Sequence, residues 1–347
     1  MRPAKITVVE WHQMGDAVMA LPFIHGAREA GIEVTACATP GPASVIQLAF
    51  PDLAVGIFRP DVDNWWRGDD WGGWRQKHGA DTAVCAWGDP RTHFWMKRAG
   101  FDRRIGLPAV PNNCYAREAA FLRPCLRETQ AFGRLLNGLA GPLLTEAWLR
   151  PRRDLHHQDN WGEMARMLGF SVNELFSWPV VPAPGLKSAG RRNSYWVVHS
   201  GGRLLPKRWS GEKWRELLIR LRALDVSTVW VRSQGMDDEV ELPPGQEVFE
   251  AGGLRGFAEL VAGARGLIGL DSFPAHLSAS MGKDTVVLFG EMPDVWFAPR
   301  GPHVRVMKKP MTEGCLRDYV TKGLSLLREL EVDEVVAAVK ASSADNR

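Results

Sequence analysis

Short runs of β-branched and other apolar residues alternate along this chain with longer segments whose apolar positions recur at helical spacing. Lys5-Ile6-Thr7-Val8-Val9 has the pattern of a strand buried on both faces. Ala17 to Ala30 carries helical spacing, and Gly31 is placed to end it. Ile32 to Ala38 is the next expected strand, Ala43 to Phe50 a short helix, Asp81 to Trp87 a strand and Gln158 to Gly169 a helix. Asp61 to Gly79 has neither period. Trp65, Trp66, Trp71 and Trp74 sit there among Gly, Asp and Arg, and the segment reads as a loop or insertion. The alternation predicts a parallel sheet covered by helices on both faces.

The pattern then stops and restarts. Trp178-Pro-Val-Val-Pro-Ala-Pro-Gly, followed by the basic stretch from Lys187 to Asn193, has the composition of a linker. Beyond it, strands are expected at Tyr195 to His199, Ser227 to Arg232, Gly266 to Leu270 and Thr285 to Phe289. Helices are expected at Gly211 to Asp225, Gly256 to Ala264 and Phe273 to Met281. The reading is α/β, with two units joined near residue 185: residues 1–180, residues 190–330, and a C-terminal helix and tail over residues 331–347. The length of 347 residues agrees, because a single core rarely grows so large.

Composition narrows the class further. Apolar residues make up 45% and charged residues 24% of the chain, the profile of a soluble globular protein. A formal net charge of +3 is too small to argue for nucleic acid by itself. The five cysteines, Cys37, Cys85, Cys114, Cys125 and Cys315, form no C-x-x-C pair, which indicates neither a zinc site nor a disulfide framework. Their odd number fits a reducing cytoplasm. No apolar run reaches the length of a membrane span, and the first residues read as a strand rather than a signal peptide. Tryptophan is abundant, with 15 copies, and core packing is the default account of most of them.

Three strand-to-helix turns carry unusual polar content. Ligands of open parallel sheets bind where such turns lie, at the carboxyl ends of strands. The first is Trp11-His12-Gln13-Met14-Gly15-Asp16, in which Asp16 occupies the expected helix N-cap or, alternatively, serves as a general base. The second runs from His199 through Ser200, Gly201 and Gly202 to Lys207, Arg208, Trp209 and Ser210. Small residues there let backbone N–H groups approach an anion, and Lys207 and Arg208 add positive charge. The third is Asp271-Ser272-Phe273-Pro274-Ala275-His276. Ser272 suits an N-cap and Pro274 the first helical turn, so a positive helix end is expected to face a phosphate. No G-x-G-x-x-G follows the first strand of either half, which argues against a dinucleotide oxidoreductase.

Together these turns resemble glycosyltransferase family 9, the bacterial lipopolysaccharide heptosyltransferases. Gly15-Asp16 followed by Pro22 is similar to the family's first turn. Lys207-Arg208-Trp209 is similar to its Lys-x-Trp, and Asp271-Ser272 with His276 to its Asp-Ser/Thr-Gly-x-x-His element. Val286-Val287-Leu288-Phe289-Gly290 matches the strand that follows. The order and spacing agree from about residue 5 to about residue 300. The departures are Phe273 at the family's glycine, Glu10-Trp11-His12-Gln13 in place of a basic and small hydroxyl residues, and Asp284 at a usual proline. The expected donor-ribose acid is matched only loosely, by Asp238 or Glu239.

The resemblance implies a GT-B fold, two Rossmann-like domains with parallel sheets facing across a cleft. It implies an inverting, metal-independent transfer of a heptose-like sugar from a nucleoside diphosphate, an ADP-sugar, to a hydroxyl of a glycan or glycolipid. No cofactor is expected. Asp16 is then the base, and Ser200, Gly201, Lys207, Asp271, Ser272, Phe273 and His276 form the donor site. For the acceptor, the first domain offers His12, Gln13, Trp65, Trp66, Arg103 and Arg104, aromatic faces for sugar rings and cations for acidic groups. Stacking and basic residues would also serve a nucleic acid. A cytoplasmic protein with peripheral contact at the inner face of the membrane is expected. The rivals are a GT-B enzyme with another donor and acceptor, including modified nucleic acid or protein, and a non-catalytic descendant that binds nucleotide or glycan. Phe273 motivates both.

Overall fold

The computed structural model describes residues 2–59, 69–78, 80–87, 90–107, 143–147, 156–173, 176–180, 194–201, 208–232, 240–250, 252–290, 294–310 and 325–344. The chain folds as two compact units, Met1–Phe176 and Ser177–Arg347.

In the first unit, β1 (Lys5–Glu10), β2 (Glu33–Ala38), β3 (Val55–Ile57), β4 (Thr82–Cys85), β5 (Arg103–Gly106) and β6 (Glu146–Ala147) form one sheet in the order β3-β2-β1-β4-β5-β6, all parallel. The helices are α1 (Met14–Glu29), α2 (Pro40–Ala49), α3 (Asp69–His78), α4 (Pro90–Arg98) and α5 (His157–Met167). β1 is buried on both faces, as its unbroken apolar run requires; its one internal hydroxyl, Thr7, meets Thr35 of β2 at 2.9 Å. α1 packs against α2 and α5 and is apolar almost all round, because little of its circumference meets water. Gly26 permits this packing: a Cβ there would stand 2.6 Å from the Ser171 carbonyl oxygen.

α3 departs from the loop expected over Asp61 to Gly79. The glycines Gly72 and Gly73 interrupt any apolar period. Arg75, Lys77 and His78 nevertheless fall in the last turn, where cations complement the helix dipole. Arg75 also ties the helix to Asp81 at 3.0 Å and to Asp102 at 2.9 Å. The bond to Asp102 spans 27 residues, beyond any local window. The remainder of that segment, with Trp65 and Trp66, lies outside the described residues.

The second unit repeats the plan. β7 (Tyr195–His199), β8 (Ser227–Arg232), β9 (Glu247–Glu250), β10 (Gly266–Leu270), β11 (Asp284–Leu288) and β12 (Val304–Met307) form a second parallel sheet, in the order β12-β11-β10-β7-β8-β9. Counted from the start of each unit, both sheets read 3-2-1-4-5-6, the Rossmann order. The helices are α6 (Gly211–Ala223), α7 (Leu254–Gly263), α8 (Phe273–Ser280), α9 (Asp294–Phe297) and α10 (Val332–Ala344). Trp196, Trp209, Trp214 and Trp230 fill the core on one face together with Val335 and Val339 of α10. The C-terminal helix thus completes the second unit, against α6, β11 and β12. Trp95 and Trp161 are fully buried in the first unit, so packing accounts for much of the tryptophan content.

Candidate functional site

Each sheet has one place where the strand order reverses, between β1 and β4 and between β7 and β10. Helices leave to opposite faces there, which opens a crevice at the carboxyl ends of the strands. The turns singled out by sequence sit at these two places.

In the first unit, β1 ends at Glu10 and α1 begins at Met14. Gln13 is therefore the N-cap, and Asp16 lies at the third helical position rather than at the cap the sequence suggested. From there Asp16 Oδ2 accepts a hydrogen bond from the Gln13 N–H at 3.0 Å, half of a capping box. Gly15 lies inside the first helical turn, and Asp16 is 8% exposed. Glu10 is 0% exposed. Its Oε1 accepts from the His12 N–H at 3.1 Å and lies 3.6 Å from His12 Nδ1, whereas its Oε2 has no hydrogen-bond partner. The His12 ring stacks on Trp87, which follows β4, at 4.3 Å between centroids; Trp87 in turn meets His157 of α5 at 4.2 Å. His12 and Trp87 thereby join the two strand ends that flank the reversal.

Arg103 and Arg104 are placed differently. Both belong to β5. The Arg103 guanidinium grips both carboxylate oxygens of Glu146 on β6. Arg104 donates to the carbonyls of Leu143, Phe101 and Asp102. These bonds tie β5 to β6 and to the residue stretch just before β6.

In the second unit, β7 ends at His199 and delivers Ser200 and Gly201, both buried. His199 is in register with Gly269 of β10, so the turns after the two strands lie side by side. After β10, Ser272 is the N-cap of α8 with Pro274 in the first turn, as expected. The Ser272 hydroxyl, however, donates back to the Leu270 carbonyl at 3.3 Å and makes no cap bond to the helix. Pro274 has no N–H and the Ala275 N–H donates to the Ser272 carbonyl at 3.1 Å, so at the start of α8 it is the Phe273 N–H that the turn offers to an outside acceptor. Phe273 is half-buried, and its ring centroid lies 6.3 Å from that of Phe257 on α7, which in turn meets the His199 ring at 5.8 Å. His276 is buried on α8. Lys207, Asp238 and Glu239 lie outside the described residues.

Residues 182–322 match the family model described as glycosyltransferase family 9 (heptosyltransferase). The matched region lies in the second unit and spans about two fifths of the chain. The fold is GT-B, as three similar structures show. One, the glycosyl transferase family 9 from Veillonella parvula DSM 2008, has a TM-score of 0.72 at 15% identity, covering 99% of this chain and 98% of that one. E. coli heptosyltransferase WaaC with ADP-2-deoxy-2-fluoro heptose has a TM-score of 0.68 at 18% identity, covering 99% and 100%. E. coli ADP-heptose lps heptosyltransferase II has 0.66 at 13%, covering 99% of each chain. No curated protein sequence matches the chain.

Within the matched region, Trp209 of the Lys-x-Trp motif is a packing residue. Its indole N–H donates to the Leu330 carbonyl at 3.1 Å and stitches the turn before α6 to the segment before α10. Lys213 reinforces that stitch through the carbonyls of Arg328 and Leu330. Sequence reasoning did not single out Trp87 or Phe257. Each borders a candidate site only because non-neighbouring strands pair. A cavity of about 420 Å³ lined by Arg28, Glu33, Asp52 and His78 among others lies at the amino end of the first sheet, opposite that sheet's own reversal.

Proposed function

We propose that the chain moves a sugar, heptose-like by resemblance, from a nucleoside diphosphate donor to a hydroxyl of a glycan or glycolipid, with inversion at the anomeric carbon. The observation that carries this reading is the uncapped start of α8 at the strand-order reversal of the unit that matches family 9. A diphosphate leaving group gains charge as the glycosidic bond breaks. A helix N-terminus and small-residue turns stabilise that charge with N–H groups already in place. Ser200 and Gly201 flank it from β7, and Ser272 and the N–H of Phe273 from α8. Lys207 supplies the full positive charge, so no divalent cation is required. His276 lies on the same helix, and Asp271 opens the same turn.

The first unit takes the acceptor. Its hydroxyl oxygen attacks the anomeric carbon, the bond to the diphosphate breaks with its electron pair, and the hydroxyl proton passes to a base on the turn between β1 and α1. The resemblance names Asp16. Gln13 and His12 border the acceptor there, with Arg103, Arg104, Trp65 and Trp66 of the same unit as further acceptor groups. A glycolipid acceptor would bring the protein to a membrane surface from one side; among the described residues no helix is long and apolar enough to cross a membrane.

Calorimetric titration with ADP-heptose, UDP-glucose and GDP-mannose, followed by assay of nucleoside diphosphate release with and without EDTA, tests this reading. ADP-heptose is expected to bind, the Lys207→Ala variant to bind it more weakly, and EDTA to leave the rate unchanged. Absence of binding by all three donors overturns the assignment. Loss of activity in EDTA that Mg²⁺ or Mn²⁺ restores overturns the metal-free part alone.

A further inference from the structure

We infer that Phe273 sets the nucleobase end of the donor site: its ring is the wall on which the base of the nucleoside diphosphate stacks. The inference rests on the transferase reading above and deepens it, by giving a role to a residue that departs from the family's pattern. Where the resemblance expects a glycine, this chain places a phenyl ring at the first position of α8. A ring there either fills the anion site or turns aside and adds a surface to it. The Phe273 ring turns onto α7. Its centroid lies 6.3 Å from that of Phe257, with the planes tilted by 51°. Phe257 in turn meets the His199 ring at 5.8 Å.

Helix geometry places that ring beside the phosphate donor. In an α-helix every Cα–Cβ bond tilts toward the N-terminus, so a side chain at the first position leaves the helix at the same end as its own N–H. The Phe273 N–H is the one the turn offers, because Pro274 has none and the Ala275 N–H is taken by the Ser272 carbonyl. One residue therefore supplies both the N–H for the diphosphate and the ring next to it. Phe257 is buried and anchors the pair, and the half-buried Phe273 keeps an accessible surface. His199 stands in register with Gly269, so the row His199, Phe257, Phe273 runs from the end of β7 to the head of α8 beyond β10, across the strand-order reversal.

The chemistry of the row selects the base over the transferred sugar. Phenyl rings offer no hydrogen bond to the many hydroxyls of a sugar, whereas a nucleobase is flat and has an apolar face that any aromatic ring can cover. A sugar ring has an apolar face as well, but the transferred sugar must stay within reach of a hydroxyl from outside this unit. The row instead backs onto the unit's own core, through Phe257 at 6% and His199 at 9% exposure. The part of the donor that lies along the body of the unit is the nucleoside. A glycine at position 273 would leave the diphosphate contact in place and remove this wall.

Calorimetric titration of the full chain with ADP, ADP-heptose and inorganic pyrophosphate tests the assignment. Phe273→Leu keeps most of the volume and removes the ring face. It is expected to weaken ADP and ADP-heptose by the same factor, about tenfold, the scale of one aromatic contact with a base, and to leave pyrophosphate unchanged. Phe273→Tyr is expected to bind all three as the wild type does. NMR of the ADP complex, with ring-protonated phenylalanine in a deuterated background, reads the contact directly. Nuclear Overhauser effects from adenine H2 and H8 to a phenyl ring are expected in the wild type and are expected to vanish in Phe273→Leu. Their absence from the wild-type complex overturns the assignment without recourse to a variant. Unchanged or tighter ADP binding by Phe273→Leu overturns it too. So does a loss confined to ADP-heptose, which places the ring against the sugar, or a loss shared by pyrophosphate, which places the effect in the turn. Each of these leaves the transferase reading standing as long as the wild type binds ADP-heptose. A wild type that binds neither ADP nor ADP-heptose defeats that reading, and with it the inferred wall.

Discussion

Tyr195, the first residue of β7, lies at the strand end opposite the donor turn and offers a quantitative check on the second unit. Its hydroxyl is buried and donates to the Leu260 carbonyl of α7 at 2.7 Å. Burial first, and the charge of Glu247 second, push its pKa up to about 12. The folded chain thus holds the phenolic proton after the unfolded chain has released it, which requires an ordinary tyrosine pKa of about 10 in the unfolded state. Stability from this group is complete below pH ~10 and is lost as pH rises toward ~12, amounting to about 2 to 3 kcal/mol in full. Tyr195→Phe removes the hydrogen bond and strands the carbonyl, costing about 1 to 2 kcal/mol at pH ~8. Because the variant has no proton to lose, its deficit should shrink above pH ~10 and reverse between about pH 11 and pH 12. Urea unfolding followed by far-UV circular dichroism at several pH values measures the gap. Absorbance titration supplies a second reading. The chain has three tyrosines, so one third of the tyrosinate signal should rise late in the wild type and be missing in the variant. A gap that stays constant from pH ~8 to ~11.5 would refute the burial argument.

Other perturbations separate structural from functional roles. Arg103→Gln should destabilise the first unit by about 1 kcal/mol at neutral pH, since the partly exposed pair with Glu146 is screened, and should leave donor affinity unchanged. Arg103 holds the Glu146 carboxyl below its ordinary range, so the pair's contribution is present at neutral pH and fades as pH falls through that lowered value; urea melts at pH ~7 and ~3.5 should show the deficit narrowing. In Gly266→Ala the new Cβ would stand 2.3 Å from the Asp284 carbonyl oxygen, between adjacent strands. About 3 kcal/mol of destabilisation or more is expected, visible as a lower melting temperature, and a neutral result would contradict the strand packing. Ser272→Ala should cost under about 1 kcal/mol of stability, because its hydroxyl does not cap α8, yet weaken ADP-heptose binding about tenfold by calorimetry.

Much of the fold was legible because its signals are local. Buried parallel strands announce themselves as unbroken apolar runs, and Tyr195–His199, Ser227–Arg232 and Gly266–Leu270 were bounded as the structure has them. Ser272 and Pro274 marked the start of α8 for the same reason, since capping chemistry lies within one turn. α3 was missed because its order depends on Arg75 reaching Asp81 and Asp102, which lie beyond the helix. The start of α1 was placed three residues late. Asp16 acts through the Gln13 N–H from inside the first turn, and sequence alone does not tell an N-cap acid from one at the third helical position.

The sequence by itself determined that the chain holds two α/β units, where most of their strands and helices run, and which strand-to-helix turns carry reactive side chains. Periodicity, caps and glycines act over one or two turns of chain, so a single sequence exposes them. Only the tertiary structure decided which turns meet. Strand order is a matter of pairing between residues far apart along the chain, and it alone brings Trp87 to His12 and lays the Ser200 turn beside the Ser272 turn. It also gave Arg103 and Arg104 to the sheet edge, because a guanidinium binds whichever carboxylate or carbonyl the fold brings within reach. Glu10 shows the division most plainly. In the sequence it is one more acid at the end of a strand; the fold buries it completely and sets its carboxyl against the backbone N–H and ring of His12.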